Sequence, residues 1–211
     1  DRFYGHYGNP TPEYPDPCSY LWADNSGAPF FTVKDSTLGP NLPILANGGT
    51  SSGTQKGIFS YVPFTVIRSN IYGSNVPIGM EIDKTEGASL IQDTYLHDIW
   101  SDSDDHTDLI NGNFHASHIT VRHNYLDGIR VGNQYVVNGI GMYDDPADSS
   151  GIITDWTIDN NYFDRSASMI FSNTDTARFT SPYVVTNNVF TNRFTNGRFV
   201  SRHPSTQSGN V

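Results

Sequence analysis

The chain has 211 residues, of which 36% are hydrophobic and 16% are charged, and its formal net charge is −10 at pH 7. This acidic balance disfavours nucleic acid and anionic membrane surfaces, so we exclude both as partners. Cys18 is the single cysteine, which excludes an internal disulfide framework and a cysteine-based zinc site. The sequence contains no run of about 18 apolar residues, so we predict no membrane insertion.

The first 29 residues are rich in proline and aromatic residues and follow no regular period. We interpret residues 1–29 as an irregular N-terminal arm or cap. Regular alternation starts with FFTVKDSTL (30–38), where we expect Phe31, Val33 and Leu38 to point inward. One solenoid domain is therefore predicted over residues 30–211.

One short phrase recurs along the chain at the spacing of stacked coils. Its five versions are FTVIRSNIYG (64–73), ASLIQDTYLH (88–97), SHITVRHNYLD (117–127), DWTIDNNYFD (155–164) and PYVVTNNVFT (182–191). They align a polar column of Asn70, Thr94, Asn124, Asn161 and Asn188. We expect the residues three before the column (Ile67, Ile91, Val121, Ile158, Val185) and two after it (Tyr72, Leu96, Leu126, Phe163, Phe190) to point inward.

A second set of short apolar segments alternates with the first. Its members are GIFS (57–60), GMEI (79–82), DLIN (108–111), GIGM (139–142), SMIF (168–171) and GRFV (197–200). Two interleaved sets require at least two strands per coil, and period-2 alternation rich in Ile, Val and Thr indicates strands. The prediction is an all-β chain folded as a right-handed parallel β-helix solenoid of about five to six coils. The polar column is interpreted as scaffold, with Asn side chains bonding along the rod.

The C-terminal segment 206–211 is short and shows neither an amphipathic helix nor a polar cap. An uncapped solenoid end exposes strand edges and apolar core. We therefore predict that another subunit, or further chain beyond residue 211, covers this end.

The densest group of chemically active side chains is SDSDDHTD (101–108). In a strand starting there we expect Leu109 and Asn111 inward, and His106, Asp108 and Ile110 outward. We expect neighbouring coils to bring Glu81, Asp83, Tyr143 and Asp144 to the same outward column, with Arg202 beyond them. Such a surface of carboxylates, one histidine and a tyrosine is suited to binding a glycan.

Glycoside hydrolysis requires two carboxyl groups at a defined separation. Simple ladder geometry places Glu81 and Asp108 about 8 Å apart, which is compatible with an inverting pair assisted by His106. Asp105 is an alternative partner for Asp108. A lyase is less favoured, because it needs a cation beside the substrate carboxylate and the three lysines fall outside this column.

Calcium is the one cofactor that the residues suggest, and no cofactor is otherwise required. Asp102, Asp104 and Asp105, with Asp108 nearby, offer the oxygen ligands that Ca²⁺ prefers. The run departs from an EF-hand loop, because it has no glycine at the sixth position and Asn113 rather than glutamate at the twelfth. The alternative interpretation of the acidic run, which is favoured over calcium binding, is a solvated surface.

The stretch YLHD (95–98) followed by HTDLIN (106–111) resembles the Y-x-H-D … H-T-D-G-I-Q signature of a pectate-lyase-like group. This chain departs from the signature at Leu109, where the group has glycine, and at Asn111, where it has glutamine. The resemblance implies a right-handed parallel β-helix of the kind found in secreted bacterial proteins and in bacteriophage tail or fibre proteins. It also adds His97 and Asp98 to His106 and Asp108 as site candidates.

Two functional hypotheses follow from these residues. The first is an extracellular, secreted or virion-surface module that binds surface glycan or serves as a rigid element. The second is a secreted polysaccharide hydrolase, or less plausibly a lyase. The catalytic candidates are Asp108, His106 and Glu81, and the substrate-binding candidates are Asp83, His97, Asp98, Asp105, Tyr143, Asp144 and Arg202.

Overall fold

The protein is described here by a computed structural model. The residues that it describes are 2–3, 21–23, 30–39, 56–82, 87–99, 107–113, 115–129, 138–143, 153–172, 182–201 and 205–211. Within this part of the chain, no helix is long and apolar enough to cross a membrane.

The described residues form 21 strands, numbered β1 to β21 in chain order, which make three parallel sheets of seven strands. Sheet 1 holds β1 (Arg2–Phe3), β4 (Thr37–Leu38), β7 (Asn70–Tyr72), β10 (Tyr95–His97), β13 (Tyr125–Asp127), β16 (Tyr162–Asp164) and β19 (Val189–Phe190). Sheet 2 holds β2 (Leu21–Ala23), β5 (Lys56–Ser60), β8 (Val76–Met80), β11 (Asp108–Asn113), β14 (Asn138–Tyr143), β17 (Ser166–Ser172) and β20 (Phe194–Ser201). Sheet 3 holds β3 (Phe31–Lys34), β6 (Phe64–Ile67), β9 (Ser89–Gln92), β12 (Ile119–Arg122), β15 (Thr157–Asp159), β18 (Tyr183–Thr186) and β21 (Ser205–Ser208).

Every third strand returns to the same sheet, so the chain winds as a parallel β-helix with three strands per coil. The fold class predicted from the sequence is therefore confirmed. The described strands make seven coils, more than the five to six predicted. The first coil includes β1 and β2, which lie within the segment interpreted as an irregular arm.

The core consists of apolar columns that run along the solenoid through successive coils. Sheet 3 contributes Ile91, Val121, Ile158 and Val185 in register, and all four are fully buried. Sheet 1 contributes Leu38, Ile71, Leu96, Leu126, Phe163 and Phe190. Burying one such side chain stabilises the fold by about 1.5–3 kcal/mol. A single coil cannot bury these side chains alone, and stacking on neighbouring coils buries them.

A sharp turn joins sheet 3 to sheet 1 in each coil. Its first residue adopts a left-handed conformation, with φ between 47° and 56° at Asp35, Arg68, Asp93, His123, Asn160 and Asn187. The next residue forms the stacking column, which is Ser36, Ser69, Thr94, Asn124, Asn161, Asn188 and Asn210. Asn and Asp tolerate this conformation better than most residues, which fits four of the six turn positions.

The first repeat was misaligned by one residue. Asn70 pairs with Tyr95, so Ser69, not Asn70, belongs to the stacking column beside Thr94. Val66 and Ile71 are consequently the buried residues of this coil, in place of the predicted Ile67 and Tyr72. A slip of one residue exchanges the two faces of a strand.

The start of the sheet 2 strands also departs from simple alternation. Leu109 and Ile110 are both fully buried in the core, whereas Ile110 was predicted to face outward. Asn111 was predicted inward, but it is half-buried and donates to Asp108 on the outer side of the strand. Two consecutive inward residues thus lie near the start of β11.

Candidate functional site

Asp108 begins β11 and is completely buried. Its Oδ2 accepts a hydrogen bond from Asn111 Nδ2 at 2.7 Å, and its Oδ1 accepts one from Asn138 Nδ2 at 2.8 Å. Tyr143 Oη donates to the same Oδ1 at 3.2 Å. The structure therefore brings together two of the predicted site residues, Asp108 and Tyr143, in one polar cluster.

Space around this cluster is filled. A Cβ added to Gly141 would lie 2.7 Å from Asp108 Oδ2 and would also collide with the Tyr143 ring. Burial, and then the negative charge of Asp108, raises the pKa of Tyr143 well above its ordinary value, so its phenol stays protonated. A carboxylate that accepts three donors and has no exposed surface is held for stability rather than presented to a substrate.

Glu81 does not lie beside Asp108. Met80 pairs with Gly112, so Glu81 is level with Asn113, five positions farther along the strand than Asp108. At about 3.3 Å per residue this separates them by roughly 16 Å along the strand. The predicted distance of about 8 Å is therefore wrong, and the pair exceeds the roughly 9.5 Å limit for two cooperating glycosidase carboxyl groups.

Several predicted site residues fall outside the described residues. They are Asp83, Asp102, Asp104, Asp105, His106, Asp144 and Arg202. Within the described ranges, no group of three or more His, Cys, Asp or Glu side chains is placed to hold a metal ion. The calcium hypothesis rests on the undescribed acidic run and stays a prediction.

His97 and Asp98 lie on a different face of the molecule, at the outer side of sheet 1. The Nδ1 of His97 is 2.8 Å from Asp98 Oδ2, and its Nε2 is 2.8 Å from Asn70 Oδ1. The His97 side chain is only 14% exposed, whereas that of Asp98 is 49% exposed. Both ring nitrogens are thus occupied, and the orientation of the imidazole is fixed.

An aromatic row follows the outer face of sheet 1 through four coils. It consists of Tyr72, His97, Tyr95, Tyr125 and Tyr162. Ring centroids are 3.9 Å apart for the pair Tyr95 and His97, and 4.9 Å apart for Tyr95 and Tyr125, both stacked. Tyr162 is turned perpendicular to Tyr125 at 5.0 Å. Tyr125 and Tyr162 are 39% and 41% exposed and are paired directly in the register.

Two Asp–Arg pairs lie beside the exposed tyrosines. Asp127 and Asp164 follow Tyr125 and Tyr162 by two residues and are opposite each other in the register. Arg165 Nε donates to Asp127 Oδ1 at 2.8 Å and its Nη2 donates to Oδ2. Arg193 Nη2 donates to Asp164, which also accepts a 2.8 Å bond from Thr191 Oγ1. The carboxylates are buried, while the guanidinium groups remain partly exposed.

Two groups of this face keep their ordinary charge states at neutral pH. Burial raises the pKa of the Tyr125 phenol, and the negative charge of Asp127 adds to that effect. The hydrogen bonds that Arg165 donates to Asp127 raise the pKa of Arg165 further above neutrality. This face therefore offers a neutral phenol at Tyr125 and a fixed guanidinium donor at Arg165 beside apolar ring surface.

Sequence reasoning missed the row of tyrosines, although a signal was present. Tyr95, Tyr125 and Tyr162 each directly follow the stacking column, in the stretches DTYLH, HNYLD and NNYFD. A tyrosine at one position of three successive coils must form a row on the surface. Residues 101–108 give the stronger signal in the sequence, because acidic residues are dense there.

Comparison with known proteins yields no assignment. The chain matches no family model, and neither the curated proteins nor the solved structures contain a significant match.

Proposed function

We propose that this chain is an extracellular or virion-surface β-helix module that binds glycan through the aromatic row of sheet 1. The observation that carries the proposal is the exposure of Tyr125 and Tyr162, in register, beside two fixed Asp–Arg pairs. Tyrosine combines apolar ring surface with a polar tip, and sugars present apolar C–H faces together with hydroxyl groups. A mainly apolar surface with a few placed polar groups is the usual composition of a binding site.

The location outside the cell or on a virion rests on the resemblance of YLHD and HTDLIN to the pectate-lyase-like group. Two aspects of the chain agree with it. A stacked solenoid is a stiff rod, which suits a spacer that holds a binding surface away from its anchor. The net charge of −10 favours solubility and disfavours nucleic acid as the ligand.

The test is affinity gel electrophoresis on a panel of immobilised polysaccharides, followed by calorimetry on any polymer that binds. Tyr125→Ala and Tyr162→Ala should each weaken binding about tenfold, which corresponds to about 1.4 kcal/mol. Phe30→Ala removes an aromatic residue of 48% exposure outside the row and should leave binding unchanged. Retardation that survives both tyrosine substitutions would overturn the proposal.

Polysaccharide cleavage is the alternative, and the separation of Glu81 from Asp108 counts against its main form. A reducing-end assay on the same polymers should detect no product from the wild-type chain. Product that disappears in Asp108→Asn, with binding retained, would instead support catalysis, with Asp105 as the remaining candidate partner. Thermal melting must accompany this variant, because an amide at position 108 keeps only one of the two acceptor oxygens that the three donors share.

A further inference from the structure

The dimensions of the aromatic row define how a polymer would lie on it. Sheet 1 strands are short, and β13 and β16 contain three residues each, or roughly 10 Å of strand. The row itself runs across the strands through four coils, from Tyr72 to Tyr162. The long dimension of the surface is therefore parallel to the solenoid axis.

The repeat along this direction suits a chain of sugar rings. Successive tyrosine rings are 4.9 Å and 5.0 Å apart, which follows the coil rise of about 4.8 Å. This repeat is similar to the length of one pyranose unit in an extended polysaccharide. Successive sugar units can thus meet equivalent groups on successive coils.

The charges beside the row favour an uncharged ligand. Two carboxylates, Asp127 and Asp164, cancel the two guanidinium groups of Arg165 and Arg193. An acidic sugar bound to Arg165 would place a third carboxylate beside these two buried ones, and Asp98 adds a further exposed negative charge nearby. Sugar hydroxyl groups meet no such repulsion and accept from N–H groups.

The guanidinium groups of Arg165 and Arg193 retain N–H donors that can bind ligand hydroxyl groups. Arg193 is 55% exposed and uses Nη2 for Asp164, while Arg165 is 33% exposed and uses Nε and Nη2 for Asp127. The buried carboxylates fix both planes, so little side-chain entropy is lost when a ligand hydroxyl accepts a bond.

On the basis of the proposed glycan-binding function, we infer that the ligand is an uncharged polysaccharide. It lies along the solenoid axis, with one sugar unit per coil. Tyr125 and Tyr162 contact its rings, and Arg165 and Arg193 donate hydrogen bonds to its hydroxyl groups. The Arg residues are thus specificity-determining groups for a neutral polymer.

The experiment uses the full chain and two sets of polymers. Neutral polymers are glucans, mannans, xylans and galactans, and acidic polymers are polygalacturonate and alginate. Oligosaccharides of two to six units from the best binder then give affinity as a function of length. We expect binding only to a neutral polymer, with affinity rising at least tenfold from the dimer to the tetramer and little afterwards.

Variants separate the contributions of the donors. Arg193→Gln should weaken binding of the tetramer about tenfold and leave the dimer less affected, whereas Arg198→Gln, an exposed arginine of β20, should change neither. Arg193→Lys keeps the charge beside Asp164 and should still lose most of the affinity, because the planar donor fork is absent. Should the Arg193 variants fail to fold, Tyr162→Ala provides the same length comparison.

The outcomes separate the test of glycan binding from the test of the neutral, axial ligand. Failure of every polymer to retard the chain overturns the proposed function itself. Binding to a polyuronate, or an affinity that stops rising at the dimer, leaves glycan binding in place and overturns the neutral, axial ligand.

Discussion

The buried side chain of Asn161 links three coils, its own and the coils on either side. Its Nδ2 donates to Val121 O at 2.9 Å and to Asn188 Oδ1 at 3.0 Å. Its Oδ1 accepts from the backbone N–H of Asn124 at 2.9 Å. Asn161→Ala would leave a buried amide and a buried carbonyl unpaired, so we expect a loss of about 3 kcal/mol in the free energy of unfolding.

Urea denaturation measures this change, and Asn192→Ala is the matched control. Asn192 is an exposed asparagine one coil away. Its substitution should alter the free energy of unfolding by less than about 0.5 kcal/mol. Equal effects of the two substitutions would show that the stacking column does not stabilise the rod.

Acid should remove the contribution of Asp93, which lies at a turn between sheets 3 and 1. Its hydrogen bond from His123, and a second from Gln92, lower the pKa of the Asp93 carboxyl. A lowered pKa means that the stabilisation is complete above the ordinary carboxyl range near 4 and is lost as the pH falls below it. The pair is exposed, so its size is about 0.5 kcal/mol.

Thermal melting of wild type and Asp93→Asn across pH 2 to 7 tests this sign. The two should differ by one or two degrees at pH 6 and converge near pH 2. A difference that grows on acidification would contradict the assignment.

The inward or outward orientation of a residue could be predicted wherever hydrophobic and polar residues alternate without ambiguity. Val121, Ile158 and Val185 were placed inward because each alternates with polar neighbours, and all three are buried. The stretch RSNIYG offers two adjacent polar residues, Ser69 and Asn70, and the larger amide was chosen for the column. Serine occupies it instead, since Ser69 Oγ accepts from Ser36 N in the coil above, at 3.4 Å.

At the level of elements, the turn between sheets 3 and 1 constrains its first residue more than its exposure suggests. Asn160 has φ of 53° and an exposed side chain, while its N–H donates to Thr186 O at 3.0 Å. A β-branched residue is strained in this conformation. Asn160→Val should therefore cost about 1–2 kcal/mol in the free energy of unfolding, whereas Asn160→Gly should be close to neutral.

The control introduces the same residue in a strand of the same coil. Thr157→Val in β15 keeps an extended backbone on the outer face of sheet 3 and should change the stability little. Calorimetric melting of the three variants gives the comparison. Equal losses for the two valine substitutions would attribute the effect to exposed apolar surface rather than to the turn.

Sheet 2 shows why one element was harder to predict than the others. The strand β11 has two consecutive inward residues near its start, Leu109 and Ile110, and a period of 2 cannot describe that corner. This irregularity also affected the predicted alignment of the candidate site residues. Asp108 and Tyr143 were correctly grouped, but Glu81 was aligned with the wrong end of β11.

For the whole molecule, the parallel β-helix winding was predictable because the same phrase recurs, although only two of the three strands of each coil were inferred. The binding surface depends on the register between coils. Tyr125 and Tyr162 are 37 residues apart in the sequence and become neighbours only through the pairing of β13 with β16. A one-residue slip would have moved one of them into the core. Surface rows of a solenoid therefore require the register, while its core requires only the period.

A solenoid in which each coil contacts only its neighbours should not be uniformly stable. Strands β9, β12 and β15 have sheet neighbours on both sides, and their inner residues Ile91, Val121 and Ile158 are fully buried. In contrast, β21 pairs with one strand of the described part of the chain, β18, and is mostly exposed. Native-state hydrogen exchange of the 211-residue chain should therefore show protection factors at least a hundredfold higher in β12 than in β21, because opening β21 breaks the pairing with one described strand and not two. Asn161→Ala should reduce protection on both sides of its coil, in β12 and β18, before it affects β6. Uniform protection across all of these strands would mean that the rod opens only as a single unit, and that nearest-neighbour stacking does not determine its stability.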